Sequence, residues 1–212
     1  MTPVIVLGAG GHARVLIDAL RLRKVKILGV TEADPNAVGI RKLRLDVLGD
    51  DRAVLRFKPR EVRLVNGLGS VKVGVQRSTL FNKFKEKGYL FETVVHPSAV
   101  IAADVELGEG AQVMAGAVIQ TGAKIGANTI VNTRVSVDHD CVIGKHVHLA
   151  PGAVLSGGVT VGDGSHLGTG AVVVNGIRIG TGAFVAAHSL VRANLQAGGS
   201  IRAARPSMRV RS

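Results

Sequence analysis

The chain is poor in several residues that other kinds of protein depend on. Its 212 residues include one cysteine, Cys141, so no intrachain disulfide can form, and a reducing compartment suits it. Tryptophan is absent, and Tyr89 is the single tyrosine. Proteins that hold single-stranded nucleic acid stack bases on aromatic side chains, and that equipment is missing. No apolar run approaches the ~20 residues that cross a bilayer. Met1-Thr2-Pro3 leads straight into Val4 to Leu7, without the charged and long apolar regions of a secretion signal. The expectation is a cytoplasmic protein with no membrane and no nucleic-acid partner.

Acidic residues are also scarce, 15 against 27 Lys and Arg, giving a formal charge of +12. The excess is not spread evenly. Residues 1–95 carry 18 basic and 9 acidic side chains, residues 96–191 carry 4 and 6, and residues 192–212 carry 5 and none. A basic front segment of this kind attracts phosphate-bearing small molecules.

Glycine is abundant, with 28 residues, roughly twice the usual share. Much of it belongs to a repeat. From Ile101 to Val191 every sixth residue is aliphatic, 16 positions without a miss. Gly108, Gly126, Gly144, Gly162 and Gly180 follow such residues at intervals of 18. Two residues before the anchors the side chains are small or β-branched, as at Ala111, Ala117, Thr129 and Cys141. Period six excludes an amphipathic helix, whose stripe recurs near 3.6. It fits a parallel β-helix of short strands, three to an 18-residue coil, about five coils in all. Cys141 falls in an inward slot and reads as core filler. Glycine is expected at the tight turns, where it relieves backbone strain.

Ahead of the repeat, apolar runs alternate with helical patterns. Val4 to Leu7, Val25 to Val30 and Val62 to Val65 read as strands, the stretch after Ala13 through Leu22 and a segment between Gln76 and Lys87 as helices, and Phe91 to Val95 as a last strand. This predicts a small Rossmann-like parallel α/β domain over residues 1–95, a β-helix over 96–195 and a basic tail over 196–212. Gly8-Ala9-Gly10-Gly11-His12-Ala13 opens the first helix, where backbone N–H groups favour a phosphate and His12 adds a donor. The match to a dinucleotide fingerprint, with Glu32 near the ribose position, is by itself weak.

Gly-x-Gly-Gly-His, the acidic turn after the second strand, Gly67-x-Gly69 and Val95-His96-Pro97-Ser98-Ala99 before a hexapeptide repeat resemble the NeuD/PglD family of bacterial acetyltransferases. The resemblance spans essentially the whole chain. It implies a left-handed β-helix, a homotrimer with active sites between neighbouring β-helices, and acetyl-CoA as cosubstrate without a metal. The acceptor it implies is a nucleotide-linked amino sugar or sialic acid. It also assigns Gly10, Gly11 and His12 to the phosphates, Glu32 and Asp34 nearby, and Gly69 to the substrate. Ala33 interrupts the consecutive acids usual after strand two.

Acetyl transfer from a thioester needs a base for the nucleophile, stabilisation of an oxyanion and positioning of both reactants. Asp138-His139-Asp140 places an imidazole between two carboxylates at a turn of the repeat. The resemblance makes His139 the general base and Asp140 the residue that orients it. It assigns His148 to acetyl-CoA, and Gly157, 18 residues after His139, to the thioester oxygen. Near the end of the repeat, Ala186-Ala187-His188-Ser189 and Arg202-Ala203-Ala204-Arg205-Pro206 depart from the family, so contacts there are not carried over. The tail arginines Arg202, Arg205, Arg209 and Arg211 are suited to CoA phosphates, and their segment reads equally as a disordered basic tail.

Two other readings exist. A metal hydratase of the γ-carbonic-anhydrase type shares the β-helix and needs three histidines. No pair among the seven here has the His-x4-His spacing of those enzymes. The other is a non-catalytic β-helix protein that binds sugar nucleotides.

Overall fold

The computed structural model describes residues 2–34, 44–69 and 75–202. Arg205, Arg209 and Arg211 of the basic tail lie outside these residues.

The front segment is a four-stranded parallel sheet, β1 (Val4–Leu7), β2 (Ile27–Thr31), β3 (Arg63–Asn66) and β4 (Leu90–Phe91), in the order β2-β1-β3-β4. Each of the first three strands is built around buried aliphatic residues, Val4 to Leu7, Val30, and Leu64 with Val65, as strands covered by helices must be. Helix α1 (Gly11–Leu22) buries Ala13, Leu16, Ile17, Ala19 and Leu20, a stripe at helical spacing, against the sheet. Helix α2 (Gln76–Lys85) covers the other side through Leu80, Phe81 and Phe84. Leu7 is level with Thr31 on one side and Asn66 on the other. The loops after β1, β2 and β3 therefore leave one edge together, at the point where the strand order reverses and open α/β sheets bind ligands.

The expected strand from Phe91 to Val95 is divided in two. Leu90–Phe91 closes the front sheet, whereas Val94–Val95 pairs with Gln112–Val113 of the repeat. Glu92 N still donates to Leu64 O, and Val94 N already donates to Ala111 O. The chain changes sheets within that short interval.

From Val94 to Ile201 the chain winds as a parallel β-solenoid. Its first face stacks seven strands from Val94–Val95 to Ser200–Ile201. The second stacks six, from Val100–Ile101 to Leu190–Val191, and the third five, from Glu106–Leu107 to Arg178–Ile179. Eighteen strands make six coils, not five. Counting from Ile101 to Val191 misses both ends. Val95 belongs to an earlier strand, and after Val191 the turn shortens, so that Leu195 bridges Ile179 and Ile201 pairs with Val185.

Anchors and small residues fill the interior, with Ala111, Ala117, Ala123, Val135 and Cys141 fully buried. The glycines of period 18 have a reason other than turn strain. A methyl carbon on Gly108 would stand 2.6 Å from the Ala127 nitrogen of the next coil. Close approach of neighbouring coils excludes side chains there. Left-handed backbone occurs elsewhere, at the turn positions from Gly110 to His188.

The front domain sits on the first coils. Val94 and Met114 join the core under α1, Ala127 packs under α2, and Lys85 pairs with Glu109 at 2.8 Å.

Candidate active site

Gly10 is the extended residue that caps α1, and no acidic side chain occupies the first turn of that helix. The start of the helix lines a cleft of about 800 Å³. Gly8 to His12, Glu32 and Gly67 to Gly69 form one wall; Asn132, His148, Pro151, His166 and Thr169 of the solenoid form the other. The glycine loops touch. A methyl on Gly67 would meet Leu7 O at 2.6 Å, and one on Gly69 would meet His12 Cβ at 3.2 Å. Glu32 shapes the loops, accepting from Ala9 N at 3.3 Å, Ala33 N at 2.9 Å and Asp34 N at 3.2 Å. Beyond Glu32 a second hollow of about 400 Å³ is lined by Thr31, Asp50, Asp51, Arg52 and Lys83.

Beneath the loops lies a polar network that the sequence reading missed. Gln112 Nε2 donates to Asn66 O at 2.8 Å, which turns its Oε1 toward His12 Nε2 at 2.7 Å. His12 must therefore carry its proton on Nε2. Burial, helped by the nearby Arg77 cation and opposed by the Gln112 bond, lowers its pKa to about 4. His12 is a neutral strut between domains as well as a cleft residue. Asn66 Nδ2 donates to Arg77 O and to Asn128 Oδ1. Asn66 ends a strand of the front sheet, His12 and Arg77 lie in its two helices, Gln112 and Asn128 belong to the solenoid, and no spacing rule joins them. The one legible signal was a polar residue, Gln112, His148 or His166, just before an aliphatic anchor on the same face.

His148 and His166 occupy successive coils of the first face, with ring centroids 4.8 Å apart and edge to face. His148 Nε2 meets Asn132 Nδ2 at 3.2 Å. His166 stacks on Phe184 at 5.4 Å, and burial lowers its pKa.

His139 stands at a different corner. The cleft adjoins the turns that follow the first face, and His139 lies in a turn that follows the second. It is exposed, and Asp140 Oδ2 sits 2.9 Å from its Nδ1. A carboxylate only accepts, so Nδ1 carries the proton and Nε2 keeps its lone pair. That hydrogen bond, with the charges of Asp138 and Asp140, raises the histidine pKa above 6.5. Asp140 has φ of 58°, whereas Gly122 and Gly158 hold the same turn position one coil before and after. Asn128, Arg134, His146 and His188 adopt the same left-handed backbone at other turns of the solenoid, at a cost of about 1 kcal/mol for a residue with a side chain. Gly157 lies directly against His139 Nε2. Within one chain, Gly10, Gly11, His12, Glu32, Gly69 and His148 meet around the cleft, and His139, Asp140 and Gly157 meet at a separate corner.

Comparison with known proteins bears on this arrangement. Residues 3–84 match the model of the PglD N-terminal domain, and residues 122–157 match the bacterial transferase hexapeptide of six repeats. PerB from Caulobacter crescentus, solved with CoA and GDP-perosamine, is 37% identical over 93% of this chain and 92% of its own, with a TM-score of 0.85. The chain belongs to the NeuD/PglD-type family of sugar acetyltransferases. Two further structures of the Caulobacter enzyme carry asparagine or alanine in place of one histidine, again with CoA and GDP-perosamine. Another family member, the acetyltransferase domain of PglB from Neisseria gonorrhoeae, solved with acetyl coenzyme A, is 27% identical over 94% of this chain and 95% of its own, with a TM-score of 0.84. No curated protein sequence matches the chain. Among the described residues of this NeuD/PglD-type chain, no group of three His, Cys, Asp or Glu side chains is placed to hold a metal. No helix among them is long and apolar enough to cross a membrane.

Proposed function

We propose that the protein transfers the acetyl group of acetyl-CoA to the amine of a nucleotide-linked amino sugar, with His139 as general base. The observation that carries this is the His139–Asp140 pair, whose geometry leaves an unprotonated Nε2 at an exposed turn. The relatives solved with CoA, acetyl coenzyme A and GDP-perosamine support the choice of both substrates.

The sugar nucleotide lies in the cleft, its diphosphate at the Gly10–Gly11 helix start. The amine nitrogen attacks the thioester carbonyl and passes a proton to His139 Nε2. The tetrahedral intermediate collapses, the C–S bond breaks, and CoA leaves as a thiolate that takes the proton back from His139. No acyl-enzyme forms. Cys141 is buried, its Sγ donates to Ser156 O, and burial raises its pKa, all of which suit a core residue.

A homotrimer would unite base and cleft. On the second face the outward residues are Val100, Val118, Ser136, Val154, Val172 and Leu190, an apolar stripe with Val100 64% and Leu190 47% exposed. The third face carries Glu106, Lys124 and Arg178 instead. The second face lies between the cleft corner and the His139 corner. Three copies turned to one axis by this face set the His139 corner of each beside the cleft of its neighbour.

The test is CoA release from acetyl-CoA against a panel of nucleotide-linked amino sugars and sialic acid, with His139→Ala alongside. Turnover of an amino sugar that collapses in the variant is the expected result. A folded protein that binds acetyl-CoA yet acetylates only sialic acid would overturn the acceptor, and undiminished turnover in His139→Ala would overturn the base.

A further inference from the structure

Arg77 is a buried cation that no carboxylate among the described residues neutralises. It is 6% exposed, and among the described residues no ion pair includes it. All its hydrogen bonds to described residues end on backbone carbonyls. Nη1 donates to Asn66 O at 2.9 Å and Leu68 O at 2.6 Å, and Nε and Nη2 both reach Asn128 O at 3.4 Å. Burial lowers its pKa to about 9, so the charge persists at neutral pH. An unpaired buried charge is costly, and a structural tie between two domains could be made without one.

The placement of the carbonyls suggests what the charge does. C=O and N–H of a trans peptide point in opposite directions, and no peptide bond among the described residues is cis. Fastening Leu68 O to the guanidinium therefore turns the Gly69 N–H away from Arg77. Gly69 lines the cleft with Gly10 and Gly11, and its N–H makes no hydrogen bond among the described residues. A cation at the carbonyl end of a peptide also polarises it and strengthens its N–H as a donor.

We propose that Arg77 is a positioning residue: it aims and polarises the Leu68–Gly69 peptide so that the Gly69 N–H donates to a diphosphate oxygen of the bound nucleotide. This rests on the sugar-nucleotide reading above. The anion brings the countercharge that the protein itself withholds. Arginine suits the task because its planar fork holds three carbonyls in fixed directions, whereas the three donors of a lysine ammonium rotate on a flexible stem.

Calorimetric binding of GDP and UDP to wild type, Arg77→Met and Arg77→Lys tests this, together with KM for the sugar nucleotide and for acetyl-CoA. Arg77→Met should weaken nucleoside diphosphate binding about tenfold or more, and Arg77→Lys several-fold. KM for the sugar nucleotide should rise in parallel, with kcat and the acetyl-CoA KM within about twofold of wild type. Unchanged diphosphate affinity in folded Arg77→Met would overturn the proposal, and if that variant does not fold, Arg77→Lys decides by the same criterion. Equal loss of affinity for acetyl-CoA would also overturn it, since a mere domain tie has no reason to single out the nucleotide. A wild-type protein that binds neither GDP nor UDP would instead remove the sugar-nucleotide reading on which it rests.

Discussion

Gly157 lies so close to His139 Nε2 that a single methyl group there would collide with the imidazole. Gly157→Ala should therefore displace the base while leaving the fold intact. Misplacing a catalytic group by about 1 Å costs on the order of a hundredfold in rate. The expected result is a kcat about a hundredfold lower with unchanged circular dichroism and melting temperature. Retained kcat would show that His139 is not held where the mechanism needs it.

The pH profile follows from the carboxylates. His139 acts only when unprotonated, so activity falls as pH drops through its pKa, which Asp140 and Asp138 hold above 6.5. The rising limb of kcat/KM should lie above that value in the wild type. In Asp140→Asn it should move to lower pH, with a loss of at least tenfold at the plateau from misorientation of the ring. A limb that stays in place would separate Asp140 from the titration.

Stability should carry the mark of His12. Its folded pKa, about 4, lies below the unfolded value of 6.5, so the unfolded chain binds the proton more tightly. Stability is then full above 6.5 and declines as pH falls toward 4, by about 3 kcal/mol in all. His146 and His166 are shifted in the same direction by burial and add to the slope. Thermal melts from pH 7 to pH 4 should show a smaller decline for His12→Gln than for wild type. An identical decline in both would place the proton uptake elsewhere.

Cys141→Ala tests direct transfer. The thiol is fully buried, and trimming it removes one polarisable atom at a cost of about 1 kcal/mol. Activity within twofold of wild type is expected in the CoA-release assay. Loss of turnover in a folded variant would point to an acyl-cysteine.

The apolar stripe gives a test of assembly. Val172→Asp together with Leu190→Asp places two like charges side by side on the second face, where a buried interface tolerates none unpaired. Sedimentation should show dissociation to single chains. Activity should fall at least a hundredfold, because base and cleft then belong to no common site. A fully active monomer would refute a site shared between copies.

Much of the solenoid was legible because its core repeats. An aliphatic residue every six positions allows one local arrangement, repeated coil after coil, and each coil needs only the next for a partner. The count failed at both ends for the same reason: Val94–Val95 borders the front sheet, and the turn after Val191 is short, so periodicity no longer speaks there. The glycine loops and the Asp-His-Asp turn were legible as local chemistry. Their strand-to-helix and turn settings follow from neighbours in sequence.

Tertiary structure alone decided which polar groups meet. Arg77, Asn66, Gln112, Asn128 and His12 come from two domains and share a network only because the front sheet docks on the first coils. It also decided that His139 and the cleft lie at different corners, on either side of an apolar face. Local sequence determines what each turn of chain can do. Packing between distant segments determines what it does it to, since burial and charge depend on neighbours that no period or motif encodes.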